Sequence, residues 1–271
     1  MSSIRFSAPA ILLIAVALAY GNFLQGGFHY DDVHSIVANP HIRHLEDIPG
    51  YFTNLESFSA DPQKGMYRPL LLVTYAMDFY WSGYSTLVFH MTNLVLHVVS
   101  TLLVWSVLVK IGFSSRTALV SSLLFALHPL CTEPVNYVSS RSESLAAVFL
   151  LGAFRLRLQE TWLAEWLALV SFALGLLSKS IVMVFLGISM LHGVCVQSAS
   201  LPRQLRRDLK FWGVALVYLV IIWKIGFLSS SMNDPVRGLD VQVWTQVKAL
   251  VKYADLVAMP VALNVEHQFF E

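Results

Sequence analysis

Long apolar runs recur along this chain, cut by short polar segments. A helix needs about 20 apolar residues to cross about 30 Å of hydrocarbon. Residues 4–24 form the first run, interrupted near its start by Arg5 and Pro9. The same stretch reads as a signal peptide, because Arg5, the apolar core and Ala17-Leu18-Ala19 mimic a cleavage site. Either reading sends the following segment out of the cytoplasm. Further runs fall at 86–109, 117–127, 145–154, 162–177, 181–196 and 211–228. Those at 117–127 and 145–154 are short and lean on the polar stretch 129–144. They read as two spans meeting at a polar turn, with their ends covered by protein rather than lipid. In 241–260, Lys248, Lys252 and Asp255 mix with apolar residues at helical spacing, which suits an interfacial helix or a weakly hydrophobic span.

The expected fold class is therefore all-α, a polytopic helical membrane bundle of seven or eight spans forming a single membrane domain over 1–271. Composition agrees. Hydrophobic residues make up 56% of the chain and charged residues 13%, with a mean hydropathy of +0.62, whereas about a quarter of a soluble domain is charged. This excludes an ordinary globular enzyme and a disordered chain. Two cysteines, Cys131 and Cys195, are too few for a disulfide scaffold. A net charge of +1 leaves no reserve for gripping nucleic acid. With the N-terminus in the cytoplasm, Arg5, Lys110, Arg116, Arg155, Arg157, Arg203, Arg206, Arg207 and Lys210 all fall inside, as the positive-inside rule requires. The same threading makes 25–85 a first external loop with a partly helical interfacial segment. It makes 199–210 a basic cytoplasmic loop and 229–271 an external loop with an amphipathic or final helix. Cys131 and Cys195 then lie on opposite sides and cannot pair.

Polar side chains are costly in lipid, so those in or beside the spans carry the information. Asp31 and Asp32 follow the first span within Phe28-His29-Tyr30-Asp31-Asp32. Adjacent carboxylates in a low-dielectric cleft resist joint ionisation, so one suits a base while the other orients it or holds a cation. On spacing alone a solvated turn is the simpler reading. In Tyr67-Arg68-Pro69 the proline opens a helix, and Arg68 offers a planar fork to a phosphate or a lipid headgroup. His90, Asn93 and His97 share one helix face inside a span, either lining a groove or bonding neighbouring helices. His128-Pro129, Thr132-Glu133, Arg141 and Glu143 sit at the turn between the two short spans, where Glu133 and Arg141 serve a site or pair structurally. His128 with Glu133 matches no common zinc spacing. The chain holds no glycine-rich phosphate loop, no Cys-x-x-Cys, no His-Glu-x-x-His and no evident internal repeat.

Taken in order, Tyr30-Asp31-Asp32, Tyr67-Arg68-Pro69, Phe89-His90 with Asn93 and His97, and His128-Pro129 with Thr132-Glu133, Val135, Arg141 and Glu143 resemble one family. It is the membrane part of the transmembrane and tetratricopeptide-repeat O-mannosyltransferases and their bacterial relatives. The resemblance implies the C-type glycosyltransferase fold, with its active site on the lumenal or periplasmic face. It implies transfer of a mannose-like hexose from a polyprenyl- or dolichyl-phosphate donor to a hydroxyl of a protein or glycan acceptor, usually with inversion. Asp31 or Asp32 would act as catalytic base, the choice between them open. Binding of substrate or donor phosphate would fall to Arg68, His90, His97, His128, Glu133, Arg141 and Lys179, because the leaving phosphate needs positive or donor groups. No cofactor is certain. A divalent cation at Asp31 or Asp32 stays open, and no other metal site is expected.

The chain departs from the family pattern at several points. Cys131 stands where a His-x-x-His-Thr-Glu version has its second histidine, and Lys179-Ser180 where a Lys-Glu pair is common. The chain stops at Glu271, where members normally continue and often add a repeat domain. A truncated, non-catalytic relative acting as a membrane scaffold is therefore the alternative, with a transporter behind it, although no inverted halves are visible. The missing repeat domain favours a bacterial inner membrane over the endoplasmic reticulum.

Overall fold

A computed structural model describes residues 7–21, 26–227, 238–261 and 263. Among them every regular element is helical. Helix α1 (Ala8–Ala19) carries Pro9 in its first turn, where a missing N–H costs nothing. Polar and proline-rich sequence then breaks the chain into short turns, with α2 (Ile48–Tyr51) between them. One of these turns, Val33–Val37, is a π-turn closed by Ala38 N–H donating to the Val33 carbonyl. The segment is packed rather than loose. Ile36, Ile42, Tyr51 and Phe58 are buried against Leu71, Leu72 and Tyr75 of α3 (Pro69–Ser82). Asn39, fully buried, donates to the carbonyls of Ser35, Ser57 and Phe58 and accepts from His41 N–H.

Helix α4 (Thr86–Lys110) has 25 residues, roughly 37 Å at 1.5 Å per residue, and the mean hydropathy of its best window is 1.9. By length and composition it is the one described helix that qualifies alone as a span. Helix α5 (Ser115–Ala126) qualifies together with residues 129–136, which bend away by 55° and end in α6 (Thr132–Asn136). The hinge follows from His128-Pro129, where the histidine ring caps the new turn by accepting from Leu130 N–H. This is the polar turn expected between two short spans. Helix α1 and the stretches Trp162–Ser178 and Ser180–Val196 are apolar but shorter. Among the described residues spanning length is thus met once, or twice with the bent pair, against the seven or eight expected.

Helix α7 (Arg141–Arg157) turns back through α8 (Trp162–Ser178), which Thr161 caps by accepting from Ala164 N–H. Helix α4 packs on the other side of α7, and α9 (Val184–Leu191) and α10 (Leu201–Lys224) pack on α8. Phe172, Phe185 and Phe211 meet there with ring centroids 4.9–5.8 Å apart. The basic stretch 199–210 is not a loop. Pro202 opens α10, nothing breaks it before Lys224, and Gln204 and Asp208 turn inward while Arg203 and Arg206 stay exposed. Helix α11 (Leu239–Ala258) is amphipathic, as 241–260 suggested. The α7–α8 hairpin has two polar ends: Arg141 and Glu143 near Lys179 at one, and Arg157 beside Glu165 at the other.

Candidate active site

A cavity of about 1180 Å³ opens at the Arg141 end of this hairpin. Its walls come from the turn after α1 (Tyr30, Asp31, His34), the strap before α3 (Phe58, Lys64, Arg68), α6 (Glu133), the α6–α7 turn (Tyr137, Ser139), the first turn of α7 (Glu143) and Lys179.

Tyr30 takes a left-handed backbone, φ 46°, an uncommon conformation for a side chain of this size. Its ring stands edge-on to Tyr137 at 6.3 Å. The next residue, Asp31, donates its N–H to the Tyr137 hydroxyl at 2.9 Å. Its carboxylate is 59% exposed on the cavity wall, with Oδ1 3.1 Å from His34 Nε2 and 3.7 Å from Lys64 Nζ. His34 Nδ1 lies 2.9 Å from Ser59 Oγ, so Asp31, His34 and Ser59 form a short hydrogen-bonded row.

Asp32 points the other way and is fully buried. Its Oδ1 accepts from Ser139 N–H at 2.7 Å and Ser139 Oγ at 2.5 Å, and its Oδ2 accepts from His29 N–H at 3.0 Å. Burial pushes its carboxyl pKa up, and these three donors pull it back. The acidic pair therefore divides: Asp31 faces the cavity, and Asp32 ties the first turn to the α6–α7 turn.

Across the cavity, Arg68 Nη1 donates to Ser142 Oγ at 3.1 Å, and its guanidinium lies 5.9 Å from the Phe58 ring centre. Burial lowers its pKa, opposed by the carboxylates of Glu143 and Asp31. Glu143 pairs with Lys179, and Glu133 accepts from Ser140 Oγ at 2.9 Å. Asp31, Arg68, Glu133 and Lys179 are thus brought together as cavity lining.

Four other expected residues are not. Arg141 is completely buried and spent. Its Nε donates to Asn93 Oδ1 (2.7 Å), Nη1 to Thr74 Oγ1 (3.0 Å) and Nη2 to the Phe89 carbonyl (2.9 Å), while Asp78 Oδ2 lies 2.6 Å from Nη2. It joins α3, α4 and α7, and its complete burial keeps it off the cavity wall. His97 Nε2 donates to the Ala126 carbonyl at 3.0 Å, the same oxygen that accepts from the Tyr20 hydroxyl, joining α1, α4 and α5. His90 is pressed against the chain after α1 so closely that a Cβ on Gly26 would lie 2.6 Å from its Nε2. His128 bonds to the Val257 carbonyl at 3.1 Å and docks α11. Asn93 and His97 of this face therefore bond neighbouring elements, Asn93 also donating to the carbonyls of Pro134, Val135 and Tyr137, whereas His90 is only packed there.

Among the described residues no three His, Cys, Asp or Glu side chains converge as a metal set. Cys131 and Cys195 are both unpaired. Sequence reasoning did not single out His34, Lys64, Tyr137, Ser139 or Asp78. The only signal for His34 was its spacing of three from Asp31, and Asp78 gave none, because its partner is 63 residues away.

No family model matches the chain, and no solved structure matches it. Curated relatives do. The human protein O-mannosyl-transferase TMTC1 is 37% identical over 152 residues, covering 54% of this chain and 17% of that protein. The mouse protein O-mannosyl-transferase TMTC3 is 31% identical over 157 residues, covering 57% and 17%. The Caenorhabditis elegans protein O-mannosyl-transferase F38B6.6 is 32% identical over 157 residues, covering 55% and 23%. The chain thus spans about a sixth of the length of the first two relatives. Over a little more than half of its own length it is homologous to the TMTC protein O-mannosyl-transferases, the family its motif order resembles. The named relatives come from animals, so the expectation of a bacterial inner membrane finds no support.

Proposed function

We propose that this chain carries the catalytic pocket of a membrane glycosyltransferase. It moves a mannose-like hexose from a polyprenyl- or dolichyl-phosphate donor to a hydroxyl of a protein acceptor, with inversion. The chain folds as a C-type glycosyltransferase bundle of seven or eight spans in the endoplasmic reticulum membrane, with the pocket facing the lumen. One observation carries the reading: one cavity presents the exposed carboxylate of Asp31 together with the cation Arg68, beside Glu133 and the Glu143–Lys179 pair. The names of the relatives support sugar transfer to protein.

In the proposed step the acceptor oxygen attacks the anomeric carbon and its proton passes to the Asp31 carboxylate. The bond from that carbon to the phosphate oxygen breaks, and its electron pair leaves with the lipid phosphate. A positioned base of this kind contributes about 10²–10⁴-fold. Arg68, with Lys179 behind it, meets the charge that grows on the leaving phosphate, inside a partly water-excluded pocket where such donors count most. His34 and Ser59 hold one Asp31 oxygen in place and leave the other to the acceptor. Glu133 reaches the acceptor side of the cavity. The lipid tail lies among the exposed apolar helix faces, which explains why membrane helices rather than a soluble domain frame the chemistry.

The test is transfer from labelled mannosyl-phosphoryl-polyprenol in membranes containing the full chain. Asp31→Asn lowers the rate about 10²–10⁴-fold at unchanged expression. Full activity in that variant would remove Asp31 from the mechanism. Arg68→Ala raises the donor KM more than the acceptor KM, and equal effects on both would count against phosphate binding there.

A further inference from the structure

A second cavity, of about 360 Å³, adjoins the first. The two share Gln63 and Gly65 of the strap before α3. The second is closed by Asn54, Leu55 and Glu56 of the same strap and by Ile225 and Phe227 just past α10. The strap sorts its charges between them. Lys64 lines the first cavity, 3.7 Å from Asp31, whereas Glu56 lines the second and is the only charged side chain in that lining.

Hydrogen-bonding capacity is left over in the second cavity. Asn54 accepts from Glu56 N–H at 2.9 Å through its side-chain oxygen, which starts the turn Leu55–Phe58. Its amide N–H groups, the side-chain amide of Gln63 and the Glu56 carboxylate have no partner among the described residues, and all three side chains are exposed. Leu55, Ile225 and Phe227 put apolar surface beside them. A primary amide donates and accepts at once, as a polypeptide backbone does. Recognition of an extended peptide draws affinity from such bonds and selectivity from neighbouring side-chain pockets. A lipid tail would cover the amides and the carboxylate without answering them, which is costly.

We infer that this second cavity holds the acceptor polypeptide beside the residue to be glycosylated, and that Glu56 selects a segment with a lysine or arginine near the accepting serine or threonine. The inference deepens the transferase reading above and rests on it. With the accepting hydroxyl at Asp31, the polypeptide leaves the first cavity over Gln63 and Gly65. Its neighbouring side chains then meet Leu55, Ile225 and Phe227, and a cationic head reaches Glu56. Glu56 touches neither reacting group, so it sets the choice of acceptor rather than the chemistry.

The experiment uses membranes containing the full chain, labelled mannosyl-phosphoryl-polyprenol, and otherwise neutral peptides with one threonine and one lysine walked along the positions on either side of it. At one position or more the wild-type chain shows a KM about two- to fivefold below that for the lysine-free peptide, the scale of an exposed ion pair. In Glu56→Gln that ratio disappears. In Glu56→Lys it inverts, and a glutamate at the same position is preferred. The same peptides, carrying a fluorophore, are titrated against the chain without donor. Transfer that ignores lysine at every position, or a preference that survives in both variants, overturns the subsite and leaves the transferase reading standing. Charge-selective binding without transfer keeps the polypeptide site and removes the transferase reading. Neither transfer nor binding overturns both. An uncharged oligomannoside that displaces the peptide, and is itself weakened by Glu56→Gln, overturns the choice of a polypeptide in favour of a glycan.

Discussion

The two ends of the α7–α8 hairpin treat charge in opposite ways. At the Arg157 end, the guanidinium donates to Glu165 at 2.7 Å and to Asp208, and it stacks 4.9 Å from the Phe211 ring centre. Asp208 is fully buried and also accepts from Ser189 Oγ and Gln204 Nε2, both at 2.9 Å. Lys210 adds a contact to Glu165 at 2.9 Å. Packing is so close that a Cβ on Gly193 would lie 2.2 Å from Gln204, and the cavity beside the cluster is about 10 Å³. At the Glu143 end, charged groups surround about 1180 Å³, and among the described residues Arg68 bonds to Ser142 and has no carboxylate within 4 Å. A buried charge that is fully answered holds helices together, whereas charges arranged around a void wait for something else. The comparison separates a fastener from a binding site without reference to any relative.

Each half of that contrast is open to disproof. The largest expected effect is on chemistry: Asp31→Asn costs about 10²–10⁴-fold in transfer while the melting temperature in detergent stays within a degree or two. Asp208→Ala does the reverse. Leaving Arg157 buried with half its partners costs about 3–5 kcal/mol, read as a fall in thermal stability, with the donor KM unchanged in whatever protein remains folded. Replacing the pair together, Arg157→Met with Asp208→Leu, recovers most of that loss, because the penalty comes from the stranded charge. Arg68→Ala sits between these, raising the donor KM about ten- to a hundredfold through the loss of a charged donor. The smallest effect belongs to Lys64→Ala. Lys64 and Asp31 are 50% and 59% exposed, so the stability change is below about 1 kcal/mol and vanishes in high salt.

These outcomes bear on what the sequence could reveal. The helices at 86–110 and 162–178 were legible because an uninterrupted apolar run has few alternatives once its backbone must satisfy itself. So was the break after 127, because proline forbids continuation. The site was half legible. Asp31, Arg68, Glu133 and Lys179 do line one cavity, but Arg141, His97 and His128 carry the same chemical types in fastening roles, and His90 is packed against Gly26. A polar residue in an apolar run announces that it needs a partner and gives no sign of which. Arg141 finds Asp78 on another helix, 63 residues earlier, and His97 finds a carbonyl freed where α5 ends. The basic stretch at 201–210 misled for the opposite reason. Its charges read as a loop, yet they occupy one side of a helix whose other side is buried.

The π-turn at Val33–Val37 has a consequence for how this molecule tolerates insertion and deletion. It winds one more residue into its turn than an α-helix would, and His34 and Ser35 reach Ser59 and Ser139 from it while Ile36 fills the core. Removing one residue would let the backbone relax into ordinary winding, but everything beyond it would swing by about 100°. Ile36 and the imidazole could not then both keep their places. The mouth of the cavity thus depends on a miscount of one, and a three-nucleotide deletion there would do more harm than most single substitutions nearby.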